Sequence, residues 1–137
     1  MTHTAPPPQI GDKMSFRKTI TVAEQAMFTG ISGNLAPLYV DQRAARAAGF
    51  EGMLAFELAV TALATTSLNR LAGPAWRLGG LALDFPIAAV VGETAEACVE
   101  VVGIGAGRLD CAVNCSLAGG ALIVTGTATM IPALPRS

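Results

Sequence analysis

"GMLAFELAVTALATTSL", residues 52–68, is the most apolar stretch of the chain, and what can surround it decides the fold. It carries one charge, Glu57, and several hydroxyls, and it is short for a comfortable membrane span. Apolar residues occur around its whole circumference, which is the pattern of a helix wrapped by protein. The reading places a helix over about 53–71, preceded by Gly52 and closed by the Gly73-Pro74 breaker. Such a helix needs a sheet to bury it.

The second half of the chain supplies one. "WRLGGLALDF" (76–85) reads as a strand, and its Gly79-Gly80 suggests a bulge. In "TAEACVEVVGI" (94–104), Ala95, Ala97, Val99 and Val101 fall on one face, with Glu96 and Glu100 on the other. Gly105-Ala106-Gly107 reverses the chain into "RLDCAVNCSL", and Gly119-Gly120 turns it again into "ALIVTGTATMI". Strands with no helices between them predict an antiparallel meander. The expectation is an α+β domain, an antiparallel sheet curled around one long helix.

The first half reads mostly helical. "MSFRKTIT" alternates as a strand, and Thr21-Val22-Ala23-Glu24 fits a capping box for a helix over 22–31 that stops near Gly33. Asp41 is placed to cap a short helix ending at Gly49. The domain is expected over 13–132, between a loose tail at 1–12 and a short tail at 133–137.

Composition excludes several functions. The chain has 137 residues, a net charge of −1 and scattered basic residues, so no nucleic-acid or membrane-surface footprint is expected. No charged stretch leads an apolar one at the start, so no secretory signal is expected and a cytoplasmic location is. Cys98, Cys111 and Cys115 lack zinc spacing, and the single histidine, His3, lies in the tail. Buried thiols are the expectation, with no metal and no cofactor.

A family resemblance follows from "ISGNLAPLYVD" (31–41). Ser32-Gly33-Asn34-Leu35-Ala36-Pro37-Leu38-Tyr39-Val40-Asp41 is similar to the Ser-Gly-Asp-x-Asn-Pro-x-His-x-Asp motif of MaoC-like (R)-specific enoyl-CoA hydratases and dehydratases. Ala47-Ala48-Gly49-Phe50, Glu51-Gly52-Met53, Leu83-Asp84-Phe85-Pro86, Val91-Gly92-Glu93 and the closing "GGALIVTGTATM" extend the likeness over residues 10 to 132. The resemblance implies a hot-dog fold, an acyl thioester of CoA or acyl carrier protein as substrate, and a homodimer, possibly a higher or mixed oligomer. It also implies that a backbone N–H of Gly52 or Met53, at the start of the central helix, meets the thioester carbonyl, with Pro37 and Glu51 in the binding region.

The family's proton-transfer pair is replaced here. Asn34 stands in place of the Asp and Tyr39 in place of the His. An amide cannot take a proton near neutral pH, and a phenol is a poor base there but a good donor. Ala36 also replaces the motif's Asn, and Glu51 replaces a His. The candidate catalytic residues are therefore Tyr39 as acid or donor, Asn34 orienting water or substrate, and Glu57. Glu57 either activates water, as carboxylates do on this helix in hot-dog thioesterases, or meets Arg43, Arg46 or solvent. Three functions stay open: a hydratase or dehydratase with altered proton chemistry, a thioester hydrolase, and a non-catalytic acyl-thioester binder or partner subunit.

Overall fold

The computed structural model describes residues 6–136. The first five residues of the expected tail, His3 among them, and Ser137 lie outside the described residues. The chain runs β1 (Lys13–Thr19), α1 (Val22–Ser32), α2 (Pro37–Val40), α3 (Gln42–Ala47), α4 (Glu57–Ala72), β2 (Trp76–Asp84), β3 (Thr94–Gly105), β4 (Arg108–Leu117) and β5 (Leu122–Pro132). Ahead of β1, Gly11 donates to the Val101 carbonyl and Asp12 accepts from the Val101 N–H.

One five-stranded antiparallel sheet, ordered β1-β3-β4-β5-β2, curls around α4. The alternation read in β3 and β4 is the alternation observed. Ala95, Ala97, Val99 and Val101 are buried with Leu109, Cys111, Val113 and Cys115 against Val60, Leu63, Ala64 and Leu68 of α4. Small residues let the helix approach the sheet closely. Ser67 is fully buried and satisfies its hydroxyl by donating to the Ala97 carbonyl at 3.2 Å.

Two expectations need correction. β2 does not continue a meander into β3; it crosses the sheet and pairs with β5, leaving β1 to pair with β3. The crossing segment, 85–93, is held instead by residues 53–55, through the Leu54–Val90 bridge and bonds from Val91 to Met53 and from Ala55 to Ala89. Those same bonds hold back α4, which starts at Glu57 rather than at Met53. Met53–Phe56 spend their backbone groups on non-local partners, and tertiary context overrides helix propensity.

Local signals held elsewhere. α1 begins with the full Thr21/Glu24 capping box and ends at Gly33, whose φ of 72° is left-handed. Asp41 caps α3 by accepting from the Arg43 and Ala44 N–H groups, a cap typically worth about 1 kcal/mol. The register of β2 on β5 slips between Leu78 and Gly80, which is the bulge read from the Gly pair. No helix among the described residues is long and apolar enough to cross a membrane.

Candidate active site

The loop at 32–41 is rigidified by its own side chains. Ser32 Oγ donates to the Phe28 carbonyl at 2.7 Å and accepts the Asn34 N–H at 3.1 Å. Asn34 Oδ1 accepts the Ala36 N–H at 2.9 Å, an Asx turn that feeds the chain into Pro37 at the first position of α2. This turn aims Tyr39 inward. Its ring stacks on Phe56 with centroids 4.7 Å apart and planes 5° from parallel, and Phe56 in turn packs on Phe28.

Phe56 immediately precedes Glu57, the first residue of α4. Stacking on Phe56 therefore brings the phenol to the carboxylate. Tyr39 Oη donates to Glu57 Oε1 at 2.5 Å, joining two groups eighteen positions apart. Glu57 is half-buried and meets neither Arg43 nor Arg46; the Arg46 guanidinium donates to the Glu51 carbonyl at 3.1 Å instead. The Glu57 hydrogen bond, with burial second, pushes the Tyr39 phenol up to about 12, because ionising it would break that bond and set a phenolate beside a carboxylate. At neutral pH the phenol is thus a donor and never a base.

A phenol whose pKa is higher folded than unfolded stabilises the native state fully below its ordinary value of 10.0, and that contribution fades as pH rises toward about 12. The stability gap between wild type and Tyr39→Phe, measured by urea unfolding, should be flat up to pH 10 and narrow above it.

Gln25, which sequence reading passed over, organises this region. It is 3% exposed; its Nε2 donates to the Tyr39 carbonyl at 2.9 Å and the Leu54 carbonyl at 2.7 Å. Its Oε1 accepts the Phe56 N–H at 3.3 Å. The one sequence signal was an amide on the inward side of an otherwise ordinary helix.

The other candidate residues are spread around this pair. Asn34 is exposed, and no hydrogen bond joins it to Tyr39 or Glu57 among the described residues. Pro37 and Glu51 are also exposed. Gly52 lies in the bend at 51–52 and Met53 opens the extended segment before α4, and their N–H groups have no acceptor among the described residues. The same holds for the first-turn N–H groups of Glu57, Leu58 and Ala59, since Phe56 gives no side-chain cap. Thr61 is buried and donates back to the Glu57 carbonyl at 2.8 Å, and Asp84 is an exposed strand end.

Tyr39 and Gln25 face an open groove of about 270 Å³, walled by apolar groups including Leu35, Val40 and Met53. Glu57 faces a narrow crevice of about 10 Å³ with Val60, Phe85 and Ile87. A larger hollow of about 530 Å³ lies beside Trp76, at the opposite end of α4, and holds no carboxylate. Cys111 and Cys115 are buried, and burial pushes the Cys115 thiol up to about 11, so it stays a thiol at neutral pH. No group of three metal-ligating side chains occurs among the described residues.

A five-stranded antiparallel sheet wrapped around one long helix is the hot-dog fold, and Tyr39 and Glu57 meet where that helix starts. A MaoC-like domain model matches residues 6–116, and the chain belongs to that family. The (R)-hydratase from A. caviae involved in PHA biosynthesis superposes with a TM-score of 0.87 and 28% identity, covering 96% of this chain and 100% of that one. An R-hydratase from Pseudomonas aeruginosa gives 0.83 and 20% identity over 94% of this chain and 91% of its own. The HadBC (3R-hydroxyacyl-ACP dehydratase) complex from Mycobacterium tuberculosis gives 0.76 and 15% identity over 89% and 96%. The last two show the shared fold. No curated protein sequence matches in a direct comparison.

Proposed function

We propose that the protein catalyses the reversible hydration of a 2-enoyl thioester of CoA or acyl carrier protein, with Glu57 as the proton-transferring group and Tyr39 holding it. The observation that carries this reading is the 2.5 Å hydrogen bond from Tyr39 Oη to Glu57 Oε1. Membership of a dehydratase family supplies the reaction class, and the pair supplies the acid–base group that Asn34 cannot.

The chemistry balances on one carboxylate. With Oε1 occupied by the phenol, Oε2 takes a proton from water while the water oxygen bonds to Cβ of the enoyl group. The C=C electrons move toward the thioester carbonyl, giving an enolate. Glu57 then returns the proton to Cα, and the carboxylate is regenerated. The N–H groups of Gly52 and Met53, which have no acceptor among the described residues, are suited to the enolate oxygen, where fixed donors contribute most. Asn34 keeps its amide NH2 for water or substrate, since only its Oδ1 is engaged among the described residues.

The crevice at Glu57 is bounded by Phe85 and Ile87, which are 40% and 48% exposed. A second copy covering these residues would close the site, which supports a homodimer as the working form.

The same carboxylate could direct water at the thioester carbonyl and release the thiol. The test is therefore a panel of 2-enoyl- and saturated acyl-CoAs, followed by enoyl absorbance and free-thiol release together. Loss of enoyl absorbance without thiol is the expected result. Thiol release would assign hydrolysis instead, and tight binding without turnover by the pure protein would assign a binding role.

A further inference from the structure

Gln25 stands out among buried polar groups because each of its bonds goes to the backbone that carries the reacting pair. One donor proton of Nε2 goes to the carbonyl of Tyr39 itself. The other goes to Leu54, in the extended segment before α4. Oε1 takes the N–H of Phe56, the residue before Glu57 and the platform for the Tyr39 ring. A single amide thus spans the two pieces of chain whose separation sets the Tyr39–Glu57 distance. An amide can make four hydrogen bonds, and three are satisfied here on fixed targets.

The amide is itself well anchored. Gln25 lies one turn into α1, and its own N–H donates to the Thr21 carbonyl. That turn is fastened by the Thr21/Glu24 capping box and by the Lys18–Glu24 ion pair at 2.5 Å. A helix rooted at the end of β1 therefore reaches, through one side chain, to the start of α4. An apolar side chain of equal size would fill the space but leave two carbonyls and one N–H without partners.

We propose that Gln25 is a positioning residue, whose buried amide fixes the backbone of Tyr39 against that of Phe56 and so sets the contact between Tyr39 Oη and the Glu57 carboxylate. The inference rests on the reading of Tyr39 and Glu57 as the reacting pair, and its role is exerted only through them. Gln25 touches no reacting atom.

Tyr39 is the only tyrosine of the chain, so the ultraviolet titration of its phenolate reports the pair without reference to activity. The test compares wild type with Gln25→Met, with circular dichroism confirming that each remains folded at every pH used. The expected result is a phenol titrating near 12 in the wild type and well below that, toward 10.0, in Gln25→Met. In the hydration assay the same variant should lose about tenfold or more in kcat with KM within about twofold, the signature of an interaction used in the transition state. An unchanged titration in folded Gln25→Met overturns the proposal.

A shifted titration alongside a wild type that hydrates no enoyl thioester leaves the positioning role standing and removes the assigned reaction. Should Gln25→Met fail to fold, hydrogen exchange of the Gln25 side-chain NH2 in the wild type decides. Slow exchange of both protons supports the role, and exchange at the rate of a free amide overturns it.

Discussion

Glu57→Gln should lower kcat for enoyl-thioester hydration by about 10²–10³-fold, within the range a positioned acid–base group supplies, with KM changed little. The amide is nearly isosteric and can still accept from Tyr39 Oη, so the turn, the Phe56 stack and the start of α4 should persist. What it cannot do is take a proton from water. The loss therefore falls on the chemical step and not on binding. Single-turnover hydration by the purified variant, with its melting temperature measured alongside, checks both halves of this expectation.

Gly126→Ala should be the most damaging small substitution in the sheet. Gly126 pairs with Leu83 where β5 meets the edge strand β2, and its φ is 154°. A Cβ there would lie 2.0 Å from the Ala82 carbonyl oxygen and 2.9 Å from the Leu83 Cα, both backbone atoms that no rotamer change can move. Either β2 pulls away from β5 or the chain fails to fold, and a loss of about 3 kcal/mol or more is expected. Gly79→Ala is the matched control. Its Cβ would come 2.8 Å from Ile131, but only from side-chain atoms, which can turn aside. Urea unfolding should show the Gly126 variant losing several times what the Gly79 variant loses.

Much of this architecture is legible in the sequence because the signals are local. The Thr21/Glu24 box, the Asp41 cap and the two-residue alternation in 94–101 and 109–117 each fix their own element. The start of α4 is not legible, because residues 53–56 have the composition of a helix and are held extended by partners at 38, 89 and 91 and by Gln25. The place of β2 beside β5 is likewise a consequence of where the 85–93 crossing is anchored.

The site divides in the same way. Asn34, Tyr39 and Glu57 announce themselves singly, the first two against a motif and the third as the one charge in an apolar run. That Tyr39 and Glu57 meet, while Asn34 spends its oxygen on an Asx turn, depends on the Phe28–Phe56–Tyr39 stack. No spacing rule reaches across eighteen residues and two changes of direction. Gln25 is harder still. A glutamine on a helix of modest amphipathicity reads as surface, and only the three backbone groups converging on it explain its burial.

The central claim is that Tyr39 and Glu57 act as one unit. It is tested most directly by a double-mutant cycle in kcat for enoyl-thioester hydration, using Tyr39→Phe, Glu57→Gln and the two combined. Removing the phenol should cost rate only through the carboxylate it holds, so the double variant is predicted to be no slower than Glu57→Gln alone. Losses that multiply would mean the two groups work independently, and undiminished turnover in Glu57→Gln would contradict the account outright.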